Sequence, residues 1–191
     1  MILAGGQSRR MGREKLSLEV GGLALIEHVR DALSASCQEV LVVGGKTIRL
    51  AEVRHVSNER AGRLGPLAGI EAGLAASNND HVFVAAGDMP FLSQRMVGHL
   101  LERLCRGGVV AVIPHHEGRS HPLCGAYARV LLPRVSAALD GGARAVGEFL
   151  EGTDGVEYVG EELRRFGEPD LLLMNVNSPR DLERARRVAG R

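Results

Sequence analysis

The sequence has no tryptophan, and phenylalanine and tyrosine together make up only 3% of its 191 residues. That scarcity argues against an aromatic platform for stacking single-stranded nucleic acid, while leaving a pocket for one nucleotide open. Cysteine is sparse too. Cys37, Cys105 and Cys124 are an odd number, far apart, with no C-x-x-C pair. They point to free thiols in a reducing compartment rather than a disulfide framework. An excess of one charge is also missing: 24 basic against 23 acidic residues leave a net +1. Neither a nucleic-acid tail nor a membrane-surface patch is supported. No apolar run approaches the ~18 residues of a membrane span, and no basic leader precedes an apolar h-region. The expectation is a cytoplasmic protein with neither nucleic acid nor membrane as partner.

Two familiar phosphate-binding loops are absent as well. A Walker A loop needs Gly, four residues, then Gly-Lys-Ser/Thr. Gly45-Lys46-Thr47 supplies the tail, but Val40 stands at the first glycine position. The dinucleotide pattern G-x-G-x-x-G does not occur, which removes the main warrant for an NAD or FAD site.

What is present begins at the third residue. The run Leu3-Ala-Gly-Gly-Gln-Ser-Arg-Arg-Met-Gly-Arg-Glu-Lys15 joins a glycine turn to three arginines and a lysine. Gly5 and Gly6 carry no Cβ, so the backbone can approach a ligand closely there. Successive N–H groups in such a turn form a concavity for phosphate oxygens. Arg9, Arg10, Arg13 and Lys15 add positive charge nearby, and a polyphosphate is the natural ligand. The bland alternative is a strand-to-helix turn with a solvated basic face. Only Met1 and Ile2 precede this loop. A first strand that short is what a chain missing a few native residues at its start would show.

Apolar residues at 45% and charged residues at 25% describe a globular chain, long enough for one domain over 1–191. Short apolar runs alternate with helical stripes. The pattern predicts strands at 40–43, 53–56, 81–86, 109–113, 123–127 and 171–174, with alternation at Leu16, Leu18 and Val20. Helices are predicted from Leu25 to about Ser34, from Gly65 to about Ala76, and near 93–105, 130–139 and 143–151. A last helix starts after Ser178, with Pro179 at its first position and Asp181 completing a capping box. The fold class is therefore α/β, a Rossmann-like single domain with a mostly parallel sheet and helices on both faces.

Ligands of open α/β sheets gather beyond the carboxyl ends of the strands. The 3–15 loop, Asn58, Asp88 and the pair Asn175 and Asn177 all follow predicted strands. Asp88 sits between Gly87 and Pro90, just past an apolar strand. Mg²⁺ takes only one or two protein carboxylates and completes its shell with water and phosphate, so one aspartate suffices. A helix cap or turn is the competing reading for Asp88. Gly65, Gly69 and Gly73 share a helical face that suits either a close ligand or close helix–strand packing. The segment from Pro114 to Cys124 holds three histidines and a thiol. His116-Glu117 and His121 are spaced one residue too far for H-E-x-x-H, so a polar loop lining a substrate pocket is the better reading.

Taken together, these segments closely resemble the molybdenum cofactor guanylyltransferase family, often called MobA, along nearly the whole chain. The matching elements are Leu3-Ala-Gly-Gly-x-Ser-x-Arg-Met-Gly-x-x-Lys15, Gly65-Pro-Leu-Ala-Gly69, Gly87-Asp-Met-Pro-Phe-Leu92, His121-Pro122 with Tyr127, and Asn175-Val-Asn-Ser-Pro179. The opening motif is shared by many nucleotidyltransferases; its combination with the terminal Asn-Val-Asn-Ser-Pro is more specific.

The resemblance implies a nucleotidyltransferase fold and transfer of GMP from GTP to molybdopterin, or to Mo-molybdopterin, with release of pyrophosphate. It implies nucleotide contacts at Leu3, Ala4, Gly5, Gly6, Ser8, Lys15, Asn58, Gly65 and Asp88, with Arg10, Lys15 and Asp88 as catalytic groups. Asp88 would hold Mg²⁺, and Asn175 and Asn177 would line the acceptor side. Molybdoenzyme chaperones are the implied protein partners. Two positions depart from the family pattern: a common aspartate appears as Asn58, and an asparagine after the second main strand appears as Gly44. Both bear on the base. A cytidylyltransferase acting on molybdopterin, or a nucleotidyltransferase with another phosphorylated acceptor, is the alternative.

Overall fold

The shortness of the apolar runs and the glycines between them decide the architecture. In the computed structural model, which describes residues 1–5, 15–45, 48, 50–58, 60 and 65–190, the run Ile2–Leu3 forms β1. A single 3-10 turn at Lys15–Ser17 then leads into a hairpin of β2 (Glu19–Val20) and β3 (Leu23–Ala24). Gly21 and Gly22 close it at φ 59° and 87°, the positive values that a type I′ turn needs at both central positions. The alternation at Leu16, Leu18 and Val20 is thus strand only at its end. The first α-helix, α1 (Leu25–Ser34), starts where the Glu27 carboxylate accepts the Ala24 N–H at 2.7 Å.

The remaining elements follow in order. They are β4 (Leu41–Val43), β5 (Arg54–Val56), α2 (Gly65–Ala76), β6 (His81–Ala86), α3 (Gln94–Cys105) and β7 (Ala111–His116). After them come β8 (Arg119–Ser120), β9 (Cys124–Ala128), α4 (Leu132–Asp140), α5 (Val146–Glu151), β10 (Val156–Val159), α6 (Pro169–Leu172) and α7 (Pro179–Ala189).

The main sheet runs β10-β7-β9-β6-β1-β4-β5, with β8 attached to β7. Neighbours β5, β4, β1 and β6 are parallel, and so are β10 and β7; β9 runs against both β6 and β7. Six strands therefore point their carboxyl ends to one edge, which is the mostly parallel sheet the alternation predicts. Strand β6 shows how its two faces are covered. Phe83 and Ala85 face Val29 and Leu33 of α1 and Met96 and Leu100 of α3. Val82 and Val84 face Leu67 and Leu74 of α2 and Val135 and Leu139 of α4. Period-2 alternation in a strand buried on both sides produces this division. A third, smaller cluster unites Val20, Leu25, Met174, Val176, Leu182 and Ala185. No helix among the described residues is long and apolar enough to cross a membrane.

Three expectations require correction. The run at 171–174 is not a strand. Pro169 begins α6, and the Glu168 carbonyl accepts the N–H groups of Leu171 at 2.9 Å and Leu172 at 3.0 Å. A short leucine run has no period of its own, so the proline decides it. Next, β7 does not stop at Pro114 but continues to His116, because the Pro114 carbonyl accepts the His121 N–H at 2.8 Å. Finally, β10 lies unforeseen beside β7; its signal is the apolar pattern of Val156, Tyr158 and Val159 after Gly155.

The glycine face of α2 has mixed causes. A Cβ on Gly69 would lie 3.0 Å from Leu3 Cδ2, and one on Gly73 would lie 2.2 Å from Met1 Sδ. At those two positions close packing on Met1 and on Leu3 of β1 is the reason for glycine. Gly65 differs: it has φ 71°, and a Cβ there would meet the Arg144 carbonyl oxygen at 2.8 Å.

Candidate active site

At the carboxyl edge of the sheet, backbone bonds lock the loop ends together before any side chain is considered. The Ala4 N–H donates to the Val43 carbonyl at 2.9 Å, and the Gly87 N–H to that of Leu3 at 3.2 Å. Gly87 has a further function. A Cβ there would meet Leu16 Cδ1 at 3.1 Å, so the absence of one lets Leu16 settle on the end of β6. That contact places Lys15, the preceding residue, above Asp88.

Asp88 is nearly buried, with its side chain only 12% exposed. Lys15 Nζ donates to Asp88 Oδ2 and, at 2.8 Å, to Asn177 Oδ1. Asn175 Nδ2 donates to Asp88 Oδ1 at 2.6 Å. The Asp88 carbonyl accepts the Val176 N–H at 3.0 Å. Four side chains from three distant segments thus share one hydrogen-bonded group. Asp88 does not cap α3; Ser93 does, accepting the Met96 N–H at 3.4 Å.

The other sequence-derived site residues fall partly within the described residues and partly outside them. Leu3, Ala4 and Gly5 stand at the end of β1, while Gly6, Ser8 and Arg10 lie outside the described residues. Asn58 follows β5 at the same edge, two strands away from β1, and Gly65 opens α2. Neither belongs to the hydrogen-bonded group. Gly44 has φ 81°, and a Cβ on it would fall 3.2 Å from both the Cα and the N of Gly5. The bare backbone at 44 lets the β4 loop lie against the first glycine turn.

The segment from His115 to Cys124 runs from the end of β7 through its hairpin with β8 to the start of β9. Tyr127 is fully buried and donates its hydroxyl to the Pro122 carbonyl at 2.6 Å, and burial holds its pKa well above 10. The His-Pro motif is therefore pinned from below. Burial lowers the His121 pKa, aided by the charges of Arg119, His116 and His115, so its imidazole stays neutral near pH 7. Cys124 is pushed up to about 12 by burial and stays a thiol, which removes it as a nucleophile. His116 Nε2 lies 3.1 Å from Asp170 Oδ1, and both lie close to Glu117. Sequence spacing could not show this trio, because α6 supplies one member.

The segment carrying Asn175 and Asn177 is itself braced. Ser178 Oγ accepts the Asp181 N–H at 3.2 Å, while Asp181 Oδ2 accepts the Ser178 hydroxyl at 2.8 Å and the Asn177 N–H at 3.0 Å. Partial burial alone would raise the Asp181 pKa. The Ser178 and Asn177 bonds and the Lys15 charge outweigh it and hold the carboxyl below its usual range. A group with a depressed folded pKa contributes stability above its unfolded value and loses it as pH falls through the folded one. Asp181→Asn is expected to cost about 1 kcal/mol near neutral pH, a typical cap value. The deficit should shrink as pH drops below about 4, where ordinary aspartates protonate. Urea titrations of both proteins across that range check it; a deficit independent of pH would refute the charge as its source.

Comparison with known proteins agrees with this geometry. The profile described as "MobA-like NTP transferase domain" matches residues 1–183. A relative from Pelotomaculum thermopropionicum, named "Probable molybdenum cofactor guanylyltransferase", is 36% identical over 99% of this chain and 92% of its own. One of the same name from Mycobacterium avium is 34% identical over 95% of this chain and 91% of its own. The crystal structure of molybdopterin-guanine dinucleotide biosynthesis protein A from Archaeoglobus fulgidus superposes with a TM-score of 0.85. It shares 31% identity, covering 99% of this chain and 97% of that one.

Proposed function

The chain belongs to the MobA-like NTP transferase family, and from that premise we propose that it transfers GMP from GTP to the terminal phosphate of molybdopterin. Pyrophosphate is the other product. We take residues 1–191 as one nucleotidyltransferase domain acting in the cytoplasm, with molybdoenzyme chaperones as recipients of the product. The observation that carries the reading is the meeting of Lys15 with Asp88 at the carboxyl edge of the sheet. That edge is where an α/β sheet takes its ligand.

The reaction sets an electrostatic problem. An acceptor phosphate oxygen must bond to the α-phosphorus while the bond to the β-bridging oxygen breaks, and every group involved is anionic. The acceptor phosphate is largely doubly ionised at pH 7 and needs no general base. Backbone groups of Leu3, Ala4 and Gly5 contact the nucleotide, the Ala4 N–H itself being held by the Val43 carbonyl. Gly6, Ser8, Asn58 and Gly65 are assigned to its surroundings. Lys15 and Arg10 offset the phosphate charge and the charge that builds on departing pyrophosphate. Positioning and preorganised charge suffice for such transfers, and no protein nucleophile is required.

Mg²⁺ fits Asp88 as its protein ligand. Lys15 and Asn175 each take one acceptor position of the carboxylate, which leaves further lone pairs, and a single carboxylate is a usual donor set for this ion. When bound there, the ion supplies additional positive charge to the triphosphate.

The alternative of CTP as donor draws on one observation, that Gly44 and Asn58 replace the family's asparagine and aspartate near the base. A pyrophosphate-release assay with molybdopterin and each of the four nucleoside triphosphates separates the two. GTP is expected to be preferred; preference for CTP would overturn the base assignment and leave the reaction class standing.

A further inference from the structure

The segment 174–177 alternates in burial like a strand, although among the described residues no strand pairs with it. Met174 and Val176 are buried in the cluster of Val20, Leu25 and Leu182, and Val176 has no exposed surface. The alternate positions, Asn175 and Asn177, turn the other way, toward Asp88 and Lys15. The Val176 N–H bonded to the Asp88 carbonyl fixes the segment's height against β6, and the Asp181 carboxylate holds its far end at the Asn177 N–H.

From this arrangement we infer that Asn175 and Asn177 are positioning residues, Asn175 aiming the Asp88 carboxylate and Asn177 aiming the Lys15 ammonium. The inference rests on the proposed function only in taking Asp88 and Lys15 as the reacting centre's charged groups.

The chemistry of the two amides supports the division of labour. A carboxylate only accepts, so Asn175 must turn its Nδ2 toward Asp88; an ammonium only donates, so Asn177 must turn its Oδ1 toward Lys15. One residue type thereby serves both charges, each amide flipped to suit its neighbour. A neutral amide also fixes a carboxylate without cancelling its charge, which an arginine at 175 would do. Lys15 carries its charge on a flexible four-carbon stem with three donors. Asn177 and Asp88 engage two of them and leave one for a phosphate oxygen. An asparagine that instead gripped the acceptor would have no reason to spend its best bond on Asp88 in the free protein.

The test separates positioning from acceptor binding in the full chain. Mn²⁺ serves as the probe ion, titrated by electron paramagnetic resonance with GTP present and no acceptor. Asn175→Ala should weaken Mn²⁺ binding about tenfold, the lower end for loss of a group that orients a metal ligand. It should lower kcat by about ten- to a hundredfold and leave KM for molybdopterin within about twofold. Asn177→Ala, at an exposed position that the fold tolerates, should lower kcat with KM for molybdopterin again little changed. A rise in acceptor KM with kcat and Mn²⁺ affinity unchanged would overturn the inference and return both residues to the acceptor. Asp88→Asn is the control. If it loses Mn²⁺ binding and Asn175→Ala does not, the inference alone fails. If Asp88→Asn binds Mn²⁺ normally, the reading of Asp88 falls and takes the inference with it.

Discussion

Asp88→Asn should cut pyrophosphate release by about ten-thousandfold, a barrier increase of about 5.5 kcal/mol. The substitution is isosteric, so the backbone bond to the Val176 N–H survives and an oxygen still faces the Asn175 amide. What vanishes is the negative charge. Without it Lys15 keeps only Asn177 as a partner, and the one carboxylate that would hold Mg²⁺ is gone. The loss of positioning and the loss of charge fall on the same step, which is why the effect exceeds that of a single hydrogen bond. Circular dichroism should stay close to wild type, because the side chain belongs to a polar group rather than to either large core. The melting temperature should fall modestly, since the Lys15 ammonium, on a side chain 13% exposed, is left with Asn177 alone among the described residues. Raising Mg²⁺ should not restore the rate. Near-normal turnover in this variant would remove Asp88 from the mechanism.

How much of this was legible beforehand differs between fold and site. Strands such as His81–Ala86 declare themselves, since an apolar run of that length bounded by polar turns has few other fates. The same logic failed at Leu171–Met174, where Pro169 set a helical turn before the leucines could pair. That error did not reach the site. Asn175 and Asn177 are presented by the burial of Met174 and Val176, whatever the leucines before them do. The proximity of Lys15 and Asp88 was readable too, because both follow strands whose carboxyl ends share an edge.

The bond from Asn175 to Asp88 was not readable. It joins positions 87 residues apart through the register of a segment outside the sheet, and no local pattern encodes that register. Gly44 shows another limit. As a departure from the family pattern it suggested only a missing side chain, whereas its φ of 81° and the 3.2 Å approach to Gly5 give glycine a backbone reason there. The three glycines of α2 looked alike in sequence for the same reason: spacing reveals a shared face, but not what lies against each position.

Lys15→Ala should lower kcat by about 10²–10³-fold, or about 3–4 kcal/mol, the usual loss for a preorganised charge aimed at a transition state. Its effect on stability has a different origin. With the ammonium gone, Asp88 retains Asn175 alone beside a side chain only 12% exposed. An under-compensated charge of that kind costs about 1–3 kcal/mol. A divalent cation can replace the missing charge at the carboxylate but cannot replace the lysine's reach to phosphate. Added Mg²⁺ should therefore recover much of the melting temperature of Lys15→Ala while leaving its kcat depressed. If only the KM for the triphosphate rose at unchanged kcat, Lys15 would be a ground-state anchor. The double variant with Asp88→Asn sharpens the argument: because the two groups act on one step, its rate loss should be well short of the product of the single losses. Full multiplicativity would mean that the lysine and the aspartate serve separate steps despite their contact in the free protein.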